Sequence, residues 1–411
     1  MNNTTSNTHP IVEEALKNFF DKSDKKDFLN KISGESRAQK SAKDLNQSEH
    51  VGIEISTSAE TRYQLDQLIT FAENRLSEEK YIEFLIYLGQ HTIISGENAI
   101  AIEVYEKLVR LCSNLNEMSN LAANAYLAIG EIYSRQAQWE LSINYLDKSI
   151  KIFREANDIK GNIHSQNILG TIYGDQGNLK KAKEHFEDAL SALQEIKDTA
   201  LIGKIEINLG IISNMQGNYN EALSFFKRAL LNFEKVGDVQ RIAEIKQNIG
   251  MVYFKKKEYS SAINEFNESI ELSIRSNYMQ NLGITFINKA NVYLQQNDFD
   301  LADAFADKAM QITSKINDKL SIAEVYKIKG VIQRNRNNME SAENSLLSSY
   351  RLNKDLNNQL NIAEVACELG ILYKLNDDKE NSRKYLKEAL DYFRAINSEA
   401  DIQELEKLIS L

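Results

Sequence analysis

The sequence predicts an all-α solenoid of about eight helix-turn-helix repeats, and three observations carry that prediction. Glycine recurs at 40-residue intervals over most of the 411-residue chain. Within each interval apolar residues return at three- and four-residue spacing, the pattern of amphipathic helices. Proline occurs once, so almost nothing in the chain removes a helical hydrogen bond or clashes with the preceding turn.

The glycine series is Gly130, Gly170, Gly210 and Gly250, then Ala290 in the next phase, then Gly330 and Gly370. Other residue types are locked to it. Three positions after this marker lie Tyr133, Tyr173, Tyr253, Tyr293 and Tyr373, and seven after it lie Gly177 and Gly217. Twelve after it come Ala182, Ala222, Ala262, Ala302 and Ala342, sixteen after it Phe186, Phe226 and Phe266, and nineteen after it Ala189, Ala229, Ala309 and Ala389. A degenerate first copy with Gly89, Gly96, Ala101 and Tyr105 brings the total to eight copies, from about residue 80 to 395.

Each copy reads as two helices, exemplified by Leu201 to Met215 and Tyr219 to Phe233, with Gly217 and Asn218 breaking the pattern between them. Asp158, Asp198, Asp238, Asp318 and Asn358 precede the first helices in one phase. A side-chain oxygen there accepts from free N–H groups of the first turn, worth ~1 kcal/mol per cap. Tyr278 breaks this series and predicts a looser junction. The small residues at the marker and on the second helix let backbones approach, while Leu169, Leu209, Ile249 and Leu369 fill the remaining space. One such hairpin cannot bury its own apolar face, so neighbours must stack.

The ends read differently. Residues 1–58 are expected to be a flexible N-terminal segment with one candidate helix, Ile11 to Ile32, followed by a polar linker, Ser33 to His50. Residues 59–78 predict a helix ahead of the first recognisable repeat, and the solenoid extends over 59–398. Residues 399–411 predict a C-terminal capping helix, with Ser398 before it and Leu405, Leu408 and Ile409 toward the stack. The tethered Ile11 to Ile32 helix could also occupy the groove of its own or a neighbouring chain.

Bulk properties exclude several functions. A net charge of −10, with no basic arm among the first 50 residues, argues against nucleic acid as a partner. Cys112 and Cys367 are too few for a disulfide framework. There is no basic leader followed by an apolar stretch and no run of 18 apolar residues, so a cytoplasmic chain without membrane insertion is expected. His9, His50, His91, His164 and His185 show no metal-ligand spacing, and no P-loop or zinc-protease motif is present, so neither cofactor, metal nor catalysis is expected. Cys367 reads as a small core residue in preference to a nucleophile, and Trp139 as packing or rim.

The pattern Leu209-Gly210, Gly217, Ala222, Phe226, Ala229 resembles the tetratricopeptide repeat, whose usual length is about 34 residues. The 40-residue variant, with Asp before the first helix and Asn-Leu-Gly or Asn-Ile-Gly inside it, is similar to Pins-type spindle-orientation adaptors and kinesin light chains. The resemblance covers about three quarters of the chain. It implies a right-handed superhelical α-solenoid that binds a peptide or a helical segment of a partner protein in its concave groove. A regulator resembling the bacterial peptide-sensing tetratricopeptide family, with an N-terminal output segment, is the alternative.

Positions two and six before the marker and one after it form a stripe turned away from the core stripe. Asn208, Asn248 and Asn288 stand two before the marker in three successive copies. An Asn carries donor and acceptor and can pair with peptide backbone whatever its side chains, so this ladder is a candidate ligand site; a solvated or repeat-bridging role is the other reading. Asn167 and Asn291 add amides. Ile211, Met215, Met251 and Ile284, with Ile207 and Ile287, form either an exposed apolar channel or core. Lys204, Lys327 and Arg334 bring positive charge to the same face among Glu131, Glu244, Glu324 and Glu364. The family's carboxylate clamp requires Lys and Asn four residues apart in one repeat, but Lys327 is followed by Val331, so acidic C-terminal tails are not expected as ligands.

Overall fold

A computed structural model describes residues 8–43, 59–112, 118–193, 198–396 and 398–410; twenty helices and no strand occur among them. Contacts divide the chain into two compact units, residues 1–172 with 191–193, and residues 173–190 with 194–411.

The first unit begins with α1 (Pro10–Phe19), α2 (Lys22–Lys43) and α3 (Ala59–Arg75). Two helices therefore stand where one was expected over Ile11 to Ile32. The chain turns extended at Phe20, and the Asp21 carboxylate accepts from the Ser23 and Asp24 N–H groups at 2.7 and 2.9 Å, starting a new helix. That helix continues to Lys43, so the first part of the expected linker is helical; residues 44–50 lie outside the described residues. Ile11, Val12, Ala15 and Leu16 of α1 are buried with Phe28, Leu65, Leu68 and Phe84 in one core. Phe20 and Phe28 both pack on Phe71, at 5.3 and 5.4 Å between ring centroids. With its apolar face consumed in this way, α1 has none left to lie in a groove.

The repeats follow in chain order as α4 (Glu78–Ile94), α5 (Asn98–Cys112), α6 (Ser119–Arg135), α7 (Trp139–Glu155) and α8 (Ile159–Asp175). The second unit continues with α9 (Leu179–Ala192), α10 (Thr199–Met215), α11 (Tyr219–Val236), α12 (Val239–Lys255), α13 (Tyr259–Arg275), α14 (Met279–Gln295) and α15 (Phe299–Lys315). It ends with α16 (Lys319–Asn335), α17 (Met339–Asp355), α18 (Gln359–Leu375), α19 (Lys379–Ala395) and α20 (Glu399–Ser410). The eight predicted helix pairs are α4–α5 through α18–α19.

Local chemistry accounts for the boundaries. Asp158, Asp198, Asp238, Asp318 and Asn358 each accept from a backbone N–H three residues on, at 2.9–3.1 Å. Gly217 takes a left-handed conformation at φ 77°, and the Asn218 N–H returns to the Ser213 carbonyl at 2.8 Å, closing a Schellman motif. In other copies Asn297, Asn337 and Asp377 adopt that conformation, and Asn157, Asn277, Asn317 and Asn357 do so between copies. Asn reaches this region at lower cost than other L residues.

The marker glycines are packing features. A Cβ on Gly210 would lie 2.6 Å from the Phe226 ring, and one on Gly250 2.5 Å from Phe266; a Cβ on Gly130, Gly330 or Gly370 would lie 2.8, 2.6 or 2.5 Å from Leu146, Leu346 or Leu386. In the copy with Ala290, the residue sixteen positions on is Ala306, so marker and partner exchange volume. At Tyr278 the missing cap coincides with a polar seam: Asn281 donates to Ser269 and Ser273 at 3.0 and 2.8 Å, all of them buried.

Candidate peptide-binding face

Within the second unit, the first helices α10, α12, α14, α16 and α18 present one repeating stripe. A cleft of about 450 Å³ is lined by Asn291 and Leu294 of α14, Glu324, Lys327, Val331 and Arg334 of α16, Phe254 of α12 and Glu368 of α18, together with neighbouring residues. These are positions −6, −3, −2, +1 and +4 relative to the marker. At +4, where Asn214, Phe254, Leu294 and Arg334 follow one another, the sequence pointed only to Arg334. Extending i, i+4, i+7 from position −3 leads directly to +1 and +4.

The Asn ladder lies on this stripe. Asn208, Asn248 and Asn288 are each half-buried, as is Asn291. The Asn288 Nδ2 is buried and has no hydrogen-bond partner, and the same holds for the Asn214 Oδ1. Asn167 lies on α8 within the first unit, half-buried, with its backbone carbonyl accepting from Thr171 at 3.1 Å. Asn208 engages in contacts within the chain.

The apolar candidates divide. Ile207 and Ile287 are buried in the repeat cores. Ile211, Met251 and Ile284 are half-buried, and Met215 is 55% exposed. The stripe therefore offers separate apolar contacts between amides.

The cations behave differently from one another. Lys204 is exposed. Lys327 is 17% exposed and its Nζ lies 2.8 Å from Glu324 and 2.5 Å from Glu364. Burial opposes its ammonium, but the two carboxylates outweigh burial and raise its pKa. Arg334, 13% exposed, holds Glu368 at 2.5 Å. Both side chains thus have carboxylates in hand before any ligand arrives.

Past this pair the face is acidic. A smaller cavity of about 280 Å³ is lined by Lys327, Glu364, Cys367, Glu368, Phe393, Asp401, Glu404 and Leu405. Burial, followed by the charges of Glu368 and Glu404, pushes the Cys367 thiol up to about 12. A thiol so far from ionisation is a poor nucleophile. Among the described residues no group of three or more His, Cys, Asp or Glu side chains is placed to hold a metal, and no helix is long and apolar enough to cross a membrane.

Comparison with known proteins agrees with this architecture. One tetratricopeptide repeat family model matches residues 121–195 and 201–275, and a second matches 285–316 and 363–395. A search of curated proteins returns no match. Among solved structures, the apo form of the quorum sensor NprR from B. thuringiensis superposes with a TM-score of 0.61 at 16% identity, covering 93% of this chain and 99% of that one. The apo form of RapI superposes at 0.57 and 18% identity, covering 67% and 99%. Aspartyl phosphate phosphatase F from Bacillus subtilis gives 0.57 at 14% identity, covering 85% and 96%. At these identities the likeness is one of fold. With the helix pairs, the phase-locked glycines and both family models in agreement, this chain is a tetratricopeptide repeat protein.

Proposed function

We propose that the chain is a non-catalytic interaction scaffold whose first-helix face in the second unit binds an extended segment of a partner protein. The observation that carries this reading is the pair of unsatisfied amide atoms on that face, a donor at Asn288 and an acceptor at Asn214. A buried polar atom left unpaired costs about 1–3 kcal/mol. Both atoms are sealed from solvent as they stand, so a side-chain rotation on binding would bring each amide to peptide backbone, which supplies an acceptor and a donor at every residue. Ile211, Met251 and Met215 would take apolar side chains between the amides. Ligand charge at the α16–α18 end should be neutral or positive, because Lys327 and Arg334 are paired with Glu324, Glu364 and Glu368, three carboxylates to two cations, and Asp401 and Glu404 add negative charge nearby.

The test is selection of binding peptides from a random phage-displayed library, followed by titration of the triple variant Asn208→Ala, Asn248→Ala, Asn288→Ala. Weakened binding with an unchanged melting temperature supports the reading. Unchanged binding, or a collapse of stability, overturns it.

One observation favours a second reading, a peptide-responsive regulator. The α1–α3 segment packs into an aromatic core with α4, where a flexible segment with one candidate helix was expected over residues 1–58. NprR, which is described as a quorum sensor, matches nearly the full length of both chains. Hydrogen exchange separates the two: a regulator changes protection of α1–α3 amides when peptide binds, whereas a scaffold leaves them unchanged.

A further inference from the structure

One position before the marker, most copies have an aliphatic residue, as at Leu209, Ile249 and Leu369, but two successive copies have Lys289 and Lys329. These lysines are equivalent by phase and differ in what surrounds them. The Lys329 Nζ lies 3.3 Å from Asp303 and 2.5 Å from Asp307, both on α15. Forty residues earlier, on α13, the same two positions are Ile263 and Asn267. Lys289 therefore finds an amide oxygen where Lys329 finds a carboxylate, and donates to Asn267 Oδ1 at 2.7 Å.

Burial makes this difference matter. Lys289 is only 6% exposed, and a charge taken out of water is costly unless an opposite charge comes with it. Elsewhere in the second unit the largely buried cations Lys246, Lys327 and Arg334 each hold a carboxylate at 2.5–2.8 Å. Among the described residues no carboxylate pairs with Lys289. Glu268, next to Asn267 in the chain, is held by Lys246 at 2.8 Å. The ammonium instead lies 4.1 Å from the centroid of the Phe305 ring, and a second cation, Lys308, stands 4.9 Å from the same ring. Burial and the charge of Lys308 both disfavour the Lys289 ammonium.

The ion pair is thus complete in one copy and half-built in the one before it. Asn267 and Lys308 are exposed, so an anion arriving from solvent reaches Lys289 by displacing the Asn267 oxygen. The amide can then turn its NH₂ group to the same anion. Tyr293, stacked on Phe305 at 5.4 Å, backs the ring that flanks the site. We infer that Lys289 and Lys308 form a second recognition site, which takes the carboxylate of an aspartate or glutamate of a partner protein in the role that Asp307 has for Lys329. The neighbouring copy gives the chemistry of the missing group, since carboxylates complete it there. Although Lys289 follows Asn288 in the chain, its contacts are to the second helices α13 and α15, so this site is separate from the Asn ladder.

The test is NMR of the full chain labelled with ¹³C at lysine Cε, with the Lys289 resonance assigned by its loss in Lys289→Met. The probe is N-acetylglutamate amide, which presents a glutamate side chain. At constant ionic strength the Lys289 resonance should shift saturably, with half-saturation below about 100 mM, while N-acetylglutamine amide, the neutral isostere, leaves it in place. Lys308→Gln, altered at an exposed position, should weaken probe binding about threefold. Asn267→Asp supplies the carboxylate from within the chain; it should raise the melting temperature by about 1–2 °C and abolish the response to the probe. No shift with the glutamate probe, an equal shift with the glutamine probe, a response retained in Asn267→Asp, or a larger shift with inorganic phosphate at the same ionic strength would each overturn the inference.

Discussion

Replacing Gly250 by alanine should destabilise the chain even though alanine is the better helix former. In a helix interior the exchange gains about 1 kcal/mol from backbone propensity. Against this, the new methyl would sit 2.5 Å from Phe266 Cε1 and 2.6 Å from Cδ1. Phe266 is fully buried and cannot swing into solvent. Overpacking of this kind costs ~1–3 kcal/mol, so the expected net loss is up to ~2 kcal/mol. The Ala290 copy provides the comparison, since its partner is Ala306 and both are buried. Gly250→Ala combined with Phe266→Ala recreates that pair and should cost less than the sum of the single changes, by about 1 kcal/mol. Urea unfolding followed by far-UV circular dichroism reads the global effect. Hydrogen exchange at α12 and α13 reads the local one, because long repeat arrays need not unfold as a unit. A stabilised Gly250→Ala chain, or strictly additive costs in the cycle, would refute the packing account of the marker.

Three further outcomes follow from the same contacts. Lys289 is buried with an Asn267 oxygen at 2.7 Å as its hydrogen-bond acceptor and the Phe305 ring 4.1 Å away; burial and the neighbouring Lys308 lower its pKa. Lowered in the folded state, that ammonium destabilises at neutral pH, so Lys289→Met should leave thermal stability equal or higher by up to ~1 kcal/mol, and a clearly lower melting temperature contradicts this. Burial would raise the Asp303 carboxyl, but Arg336 and Lys329 outweigh it and hold it below its usual 3.8, while Lys183, with help from Ser213, holds Glu221 below its usual 4.5. Their stabilisation is present above those values and is lost as pH falls through the lowered ones, so Asp303→Asn should flatten the acid limb of a melting-temperature profile, and an unchanged limb counts against it. Lys327→Met leaves Glu324 and Glu364 facing each other without a cation and should cost about 1–2 kcal/mol by urea titration, discounted for the exposure of Glu364; no loss would show the pair to be energetically idle.

The repeat was legible because its packing demands one residue type at one place. Gly210 and Gly250 are close to irreplaceable against Phe226 and Phe266, so the period stands out in the sequence. The left-handed turn residues were harder to see, since Asn, Asp, Lys and Ala share a role that Gly217 announces openly. The break at Phe20 was missed because an apolar period continues across it, and only the Asp21 cap reveals the restart. On the candidate face, the positions of the Asn ladder follow from phase alone. The pairing of Lys327 and Arg334 does not, because it depends on Glu364 and Glu368 one copy away, and no local pattern encodes which neighbour a long side chain reaches.

The central claim concerns the amides of the first-helix face, and the most direct measurement is NMR of the chain labelled with ¹⁵N at asparagine side chains, titrated with a selected peptide. The account predicts that the Asn214, Asn248 and Asn288 side-chain resonances shift and become protected from exchange, while Asn232, bonded to Glu206 at 2.8 Å on the second helix, stays in place. Shifts confined to Asn232 and other second-helix amides, with the ladder unmoved, would contradict it.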